Sequence, residues 1–256
     1  MSKELDVAIK AAKVAGKTIL KYYGNHGGKK TMKSEHDFST EADDAAEKVI
    51  IATIKKAFPN HSILAEESGE TDNNSEYKWI IDPLDGTINF AWGLPLWQTS
   101  IALEKSGEVI VSATLVPLLE ELFTAEKDKG AFLNGKRIHV SERTFPHCMI
   151  GFGGVWRLDK DPIVKKTLRH ALEKFSHHFR VLGSAVYPEA CVAAGRLDAF
   201  PCFAEKPWDV AAGILLVKEA GGIVTDTNGN PASPYSENFI FSNKTLYNEI
   251  MKVISA

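Results

Sequence analysis

The chain has 256 residues, 44% hydrophobic and 25% charged, enough for a sizeable soluble core, and with a net charge of −3 it offers no general electrostatic case for nucleic acid. No apolar run approaches the ~20 residues a membrane-spanning helix needs, and the charged start Met1-Ser2-Lys3-Glu4-Leu5-Asp6 lacks a signal peptide's apolar core. Three cysteines, Cys148, Cys191 and Cys202, cannot all pair and have no metal-ligand spacing, so the expected setting is reduced and cytoplasmic.

The apolar spacing of Leu5, Ile9, Ala12, Gly16 and Ile19 predicts a first helix from Glu4 to Tyr23, ended by Gly24. The polar stretch from Asn25 to Phe38 reads as a mobile loop, and its run Lys29-Lys30-Thr31-Met32-Lys33 as solvated. A second helix begins at Thr40-Glu41-Ala42-Asp43, a capping box with Asp in place of Glu, and stops at Pro59. Asp43 lies beside that helix's apolar face, where it either caps its own helix or points inward to serve a site. Strands are expected at Ser62–Ala65, Lys78–Asp82, Gln98–Glu104, Val109–Val116 and Glu121–Ala125, and Asn134-Gly135 marks a hairpin between Ala131–Leu133 and Arg137–Val140. Beyond it, helices at Pro162–Phe175, Ser184–Ala194, Trp208–Ala220 and Lys244–Ile254 alternate with strands at Cys148–Phe152, Phe179–Leu182, Leu197–Phe203, Ile223–Asp226 and Asn238–Ser242. The expected organisation is an α+β subdomain, residues 1–145, followed by an α/β subdomain, residues 146–256, packed together as sheets between helix layers.

The chemistry concentrates in carboxylates that follow strands. Asp82 and Asp85, separated by Pro83 and Leu84, end the apolar run Trp79-Ile80-Ile81, and Gly86-Thr87 follow. A structural turn needs one Asp, not two. Glu66-Glu67 follows Ser62–Ala65, and Asp209 opens a helix after Pro207-Trp208. Glu67 also reads as a surface acid and Asp209 as a helix cap. His170, His177 and His178 sit on or after a polar helix and read as surface. An all-carboxylate donor set favours a hard cation, Mg2+ or Mn2+ over Zn2+, and so many acids need a cation to coexist. Gly86 lets backbone N–H groups approach an anion, and the Thr87 hydroxyl can orient a water. Together they point to in-line attack of a metal-activated water on a phosphate monoester.

These motifs resemble the inositol monophosphatase family of metal-dependent, lithium-sensitive phosphatases. The first signature stands here as Asp82-Pro83-Leu84-Asp85-Gly86-Thr87-Ile88-Asn89-Phe90 and the second as Trp208-Asp209-Val210-Ala211-Ala212-Gly213, continuing to Lys218-Glu219-Ala220-Gly221-Gly222. Glu66-Glu67-Ser68, Thr40–Asp43, Gly130–Gly135 and Gly183-Ser184-Ala185 match further segments, in order across nearly the whole chain. The resemblance implies an αβαβα sandwich, usually a homodimer. It implies Glu66, Asp82 and the Leu84 carbonyl around a first Mg2+, Asp82, Asp85 and Asp209 around a second, and Glu66 near a third. Thr87 backed by Asp43 would activate water, with Glu66 counted among the catalytic residues. The Gly86 and Thr87 N–H groups would hold phosphate, and Asp85, Gly183, Ala185 and Asp209 would line the substrate side, with Arg180 a further candidate for substrate or dimer contacts.

The sequence departs from the family pattern where inositol phosphatases carry a hydroxyl-binding Glu. Counting back from Asp209 without a gap gives Cys202, a weak hydrogen-bond partner, and Glu205 substitutes only if the loop shifts. Trp92 is a second difference, where many members have His, and Trp156-Arg157 is a further stretch that could reach substrate. The leading expectation is an inositol-1(or 4)-monophosphatase. The same chemistry on fructose 1,6-bisphosphate, histidinol phosphate or a phosphoadenosine nucleotide is the alternative, and a non-catalytic regulator that kept the fold is a distant one.

Overall fold

The computed structural model describes residues 1–26, 28–35 and 38–255. In chain order the elements are α1 (Lys3–Ile19), β1 (Lys30–Met32), β2 (Phe38–Thr40), α2 (Glu41–Ala57), β3 (Ser62–Ala65), β4 (Gly69–Thr71), β5 (Tyr77–Asp85) and α3 (Thr87–Ala91). Next come β6 (Gln98–Lys105), β7 (Glu108–Val116), β8 (Glu121–Glu126), β9 (Gly130–Leu133), β10 (Lys136–Ile138), β11 (Ile150–Gly151) and α4 (Pro162–Phe175). The chain ends with β12 (Phe179–Arg180), α5 (Val186–Ala193), β13 (Ala199–Phe203), α6 (Pro207–Glu219), β14 (Ile223–Thr225), β15 (Asn238–Ser242) and α7 (Tyr247–Ser255).

Five layers result. Helices α1 and α2 cover one face of an eight-stranded sheet of order β10-β9-β8-β7-β6-β5-β3-β4. Helices α5 and α6 lie between that sheet and a five-stranded sheet of order β12-β11-β13-β15-β14, and α4 and α7 cover the outer face of the latter. The αβαβα sandwich implied by the sequence is the fold observed. The alternation along β5 explains how both faces are filled. Trp79 and Ile81 join the core under α1 and α2, whereas Ile80 joins the core built with α6 and β13. That central core draws Phe123 and Ala125 from the first half and Phe200, Leu216 and Phe239 from the second. Among the described residues, no helix is long and apolar enough to cross a membrane.

Several boundaries moved for identifiable reasons. Helix α5 starts at Val186 rather than Ser184, because the Ser184 hydroxyl and the Ala185 and Val186 N–H groups are spent on Asp85. Helix α7 starts at Tyr247 rather than Lys244, because the Asn243 side chain accepts the Leu246 N–H (2.8 Å) and folds the preceding residues into a turn. The loop expected from Asn25 to Phe38 instead contains strand β1, antiparallel to β2 in the register Lys30↔Thr40 and Met32↔Phe38. Gly27, His36 and Asp37 of that stretch, and Ala256 at the end, lie outside the described residues.

The junction between the halves is tied by Asp198, which is fully buried. Its carboxylate accepts from Ser141, from Arg143 Nε (3.1 Å), from the Met149 N–H (2.6 Å) and from Asn243 (3.4 Å). Asp198→Ala strands a buried N–H and an arginine, and should cost about 3 kcal/mol in a denaturant-unfolding measurement. A loss under about 0.5 kcal/mol would show that this knot does not carry the junction.

Candidate active site

Asp82 and Asp85 stand three positions apart, so on a regular strand they would face opposite sides. The structure brings them together with a bulge. Asp82 pairs with Ser100 and Asp85 with Gln98, so β5 carries one more residue than β6 between the two pairs. Pro83, which has no N–H to lose, sits inside the bulge, and its carbonyl accepts the Thr99 hydroxyl at 2.9 Å. The Leu84 N–H then donates to Asp82 Oδ1 at 3.0 Å.

Gly86 follows with φ of 81°, the left-handed region that glycine enters without cost. A Cβ at this position would lie 2.8 Å from the Leu96 carbonyl oxygen, so both the conformation and the close approach require glycine. The turn launches α3 at Thr87. The Thr87 hydroxyl lies 2.9 Å from the Leu84 carbonyl and 3.1 Å from Asp43 Oδ1. Asp43 is fully buried, and its other oxygen accepts the Thr40 N–H (2.8 Å) and hydroxyl (2.6 Å). It therefore caps α2 and also points at Thr87. Burial pushes its carboxyl up to about 6, with the Thr40 hydrogen bonds opposing.

Asp85 is held from four directions: by Gln98, by the Ser184 hydroxyl (2.6 Å), by the Val186 N–H (3.0 Å) and by the Ala185 N–H (3.3 Å). Gln98 and Ser184 carry site roles that sequence reasoning did not assign. Asn89 on α3 donates to the Leu182 carbonyl at 2.8 Å and to the Gly183 carbonyl at 3.3 Å, which locks the second half onto the first. Gly183 has φ of 71°, and a Cβ there would strike Asn89. Ser184, Ala185 and Val186 thus grip Asp85, and Gly183 packs against Asn89 just before them. Asp209, in the first turn of α6, accepts the Lys206 N–H at 2.6 Å, so its capping role is real and its carboxyl also faces Asp85 and Glu66 electrostatically.

Glu66 is positioned by its own N–H, which bonds the Ile81 carbonyl (3.1 Å), and by buried Glu47, which accepts the next two N–H groups, of Glu67 and Ser68. Lys33, at the end of the lysine run expected to be solvated, reaches in and pairs with Glu66 and Glu67 at 2.7 Å each. Burial alone would lower the Lys33 ammonium, but the Glu66 and Glu67 carboxylates outweigh it and hold it above its ordinary value. Lys30 is also engaged, 4.1 Å over the Trp92 ring and 4.5 Å over Phe38.

Burial, and then the Glu205, Glu189 and Asp209 charges, push the Cys202 thiol well above its ordinary value. Cys202 is fully buried in β13, paired with Phe239 of β15. Glu205, just past the strand end, stands beside Asp209, and burial followed by the Asp209 and Asp85 charges pushes its carboxyl well above the ordinary range. Its Oε1 also comes close to Gly153, bringing the segment before Trp156-Arg157 against this end of the site. Trp156 is exposed and Arg180 is exposed, with the Arg180 guanidinium turned onto its own neighbour's carbonyl. Of the histidines read as surface, His178 is partly buried and bonds the Cys148 carbonyl, and a nitrogen of His170 is buried without a partner.

Burial, and then mutual repulsion, pushes Asp82 well above the usual carboxylate range, with Glu66, Asp85 and Asp209 as the repelling charges. Glu66 and Asp85 are raised too, and Asp209 is raised to about 8. Among the described residues, no three acidic, histidine or cysteine side chains are drawn tightly enough together to grip a metal ion as they stand.

The fold is shared with solved relatives. The structure of the extragenic suppressor protein suhB of Bartonella henselae superposes with a TM-score of 0.94 at 37% identity, covering 99% of this chain and 98% of that one. An IMPase of Thermotoga maritima superposes with a TM-score of 0.91 at 38% identity, covering 99% and 97%. In sequence, the chain is 39% identical to a Thermotoga maritima fructose-1,6-bisphosphatase/inositol-1-monophosphatase over 98% of this chain and 95% of that one. It is 40% identical to the Nus factor SuhB of Escherichia coli K12 over 93% and 91%. Residues 1–256 match the inositol monophosphatase family, and the chain belongs to it.

The raised carboxyls have a measurable consequence for stability. Asp209 moves from an ordinary 3.8 to about 8, so between those values the folded state holds a proton that the unfolded state has released. Stability from this group is full below the lower value and is lost as pH rises toward the upper one. Thermal melts in chelator should therefore show the melting temperature falling from about pH 4 toward pH 8, with Mg2+ reversing the fall. A melting temperature that climbs steadily through that range in chelator would contradict the proposed crowding of protonated acids.

Proposed function

We propose that the protein hydrolyses phosphate monoesters with the help of divalent cations. The observation that carries this is the Thr87 hydroxyl, fixed by Asp43 and the Leu84 carbonyl directly beside a group of acids that repel one another. The donors fit Mg2+ on their chemistry, because the set is all oxygen and its carboxyls, raised first by burial and at Asp82 and Asp209 also by neighbouring acids, gain from an added positive charge. Glu66, Asp82 and the Leu84 carbonyl would hold one ion, and Asp82, Asp85 and Asp209 a second, with Glu66 serving a third. Mn2+ would substitute. Bound ions supply neutralisation of the phosphate oxygens and make water a stronger nucleophile.

The chain's own groups do the rest. When Thr87 donates its single hydrogen to Asp43, its lone pairs are free to accept a hydrogen from water and aim that water's oxygen at phosphorus. Ionised Asp43 keeps Thr87 in that orientation. The N–H groups of Gly86 and Thr87 open a helix and have no acceptors within it, so they are available to phosphate oxygens. Asp85, gripped by the Gly183–Val186 segment, and Asp209 face the alcohol side.

For the substrate, inositol 1(or 4)-phosphate is the leading assignment. The family supports it, and Glu205 beside Asp209 provides a carboxyl for ring hydroxyls where Cys202 cannot. The relative named for both fructose-1,6-bisphosphatase and inositol-1-monophosphatase favours dual specificity as the second reading. Relatives called Nus factor SuhB favour a third, a regulatory protein on the same fold. The protein would act as a soluble homodimer on a small phosphorylated substrate.

Phosphate release measured across inositol 1-phosphate, fructose 1,6-bisphosphate, histidinol phosphate and a phosphoadenosine nucleotide decides between the enzymatic readings. Release should require Mg2+ and be fastest with inositol 1-phosphate. No Mg2+-dependent release from any of them would sink the assignment, and activity unaffected by Asp209→Asn would favour the regulatory reading.

Thr87→Ala should lower kcat about 100-fold or more while calorimetric Mg2+ binding persists. Unchanged kcat would remove the water-orienting role from Thr87.

A further inference from the structure

Glu189 belongs to no part of the mechanism above. It lies in α5, an otherwise uncharged helix whose residues Val186 to Ala193 are all buried, and it is itself fully buried. Neither of its carboxyl oxygens has a hydrogen-bond partner. Buried carboxyl groups in native proteins are paired almost without exception, so one left unpaired calls for an explanation outside packing.

Its placement supplies one. The carboxyl lies flat against α6 at Gly213, where a Cβ would come within 1.7 Å of Glu189 Oε2. Gly213 is one helical turn beyond Asp209, so the helix is bare where the carboxyl rests and the group sits beneath Asp209. The charges that act on Glu189 are Asp85, Glu205 and Asp209, all acids, and burial followed by their repulsion pushes its carboxyl well above the ordinary range. The same helix begins at Val186, whose N–H binds Asp85, so α5 holds Asp85 at its start and presents Glu189 one turn later. Among the described residues, no cation acts to offset the group. Its burial is costly in the protein alone and becomes favourable when positive charge enters between Asp85 and Asp209.

We propose that Glu189 is a positioning residue for the cation site between Asp85 and Asp209, raising that site's affinity for a divalent ion from beneath without touching the ion. The inference rests on the cation-dependent reading of the cleft given above. Groups behind a ligand set orient the ligands and strengthen the field at the ion, and they act through a low-dielectric interior where charge carries far. An apolar residue of similar volume at 189 would pack against Gly213 equally well and would lack this effect.

The test compares the full-length protein with Glu189→Gln and Glu189→Met, each stripped with chelator, by calorimetric titration with Mg2+ and with Mn2+. Both variants should bind one ion about tenfold more weakly than the parent protein. In chelator they should melt at or above the parent's temperature, because each removes an unpartnered buried carboxyl. At saturating Mg2+ their kcat for phosphate release should stay within about twofold of the parent's. Equal affinities in all three proteins would overturn the role of Glu189 and leave the phosphatase reading intact. Variants that melt well below the parent in chelator would show that Glu189 is structural, which also overturns it. Absence of binding heat in the parent protein would instead remove the cation site itself, and this inference with it.

Discussion

Repulsion among buried carboxylates is the constraint around which this structure is arranged. Glu66, Asp82, Asp85 and Asp209 come from three separate places in the chain; burial raises the proton affinity of all four, and neighbouring acids add to it at Asp82 and Asp209. Bringing them together costs free energy, and the surrounding fold is built to hold them despite it. The bulge in β5 turns two acids to one side. Glu47 anchors the turn that carries Glu66, Gln98 and the start of α5 clamp Asp85, and Lys33 lends its positive charge from the β1 side. A hard divalent cation is the simplest species that converts the cost into binding energy.

The same economy governs Asp43 and Thr87. One oxygen of Asp43 completes the α2 cap with Thr40, and the other meets Thr87. A cap fixes a carboxylate through backbone contacts, so the group that orients Thr87 is as rigid as the end of the helix. Thr87 gains its second constraint from the Leu84 carbonyl, which belongs to the acid-bearing bulge. The hydroxyl is thereby held at a fixed place relative to the acids by hydrogen bonds alone. Helix start and strand end thus share one geometry, which lets a small side chain be placed to within a hydrogen bond's tolerance.

How much of this was legible in the sequence depended on how local the cause was. Helix α2, the long strands β5 to β8 and the hairpin at Asn134-Gly135 follow from period and turn chemistry and stand close to where those signals put them, whereas α1 ends at Ile19, short of the expected Tyr23, and the chain turns from Leu20 onward. The paired Asp82 and Asp85 announced a site because two acids after a buried run have no structural excuse. What stayed hidden depends on contacts between distant segments. Lys33 reads as one more surface lysine until β1 pairs with β2 and aims it at Glu66. Glu205 and Cys202 could not be told apart by counting, because the answer lies in where β13 ends. Glu189 sits in an apolar helix and gives no periodic signal, and only the bare surface at Gly213 reveals what it faces. Strand β4 is three residues long and polar, too short for its pattern to show.

The division of labour between the halves follows from this geometry. Residues before 100 supply the hydroxyl, the bulge and most of the acids, all fixed by backbone hydrogen bonds. On the proposed function, the groups that would lie nearest the alcohol come from the second half: Glu205 past the end of β13, Gly153 against it, and the 183–185 segment. Loops of this kind change more freely than a bulged central strand, because altering them leaves the acids in place. A chain of this family can therefore alter its choice of alcohol while keeping one reaction. On the proposed function, the buried thiol of Cys202 and the carboxyl of Glu205 beside Asp209 would place the choice of alcohol within four residues that leave the bulge of β5 and its acids in place.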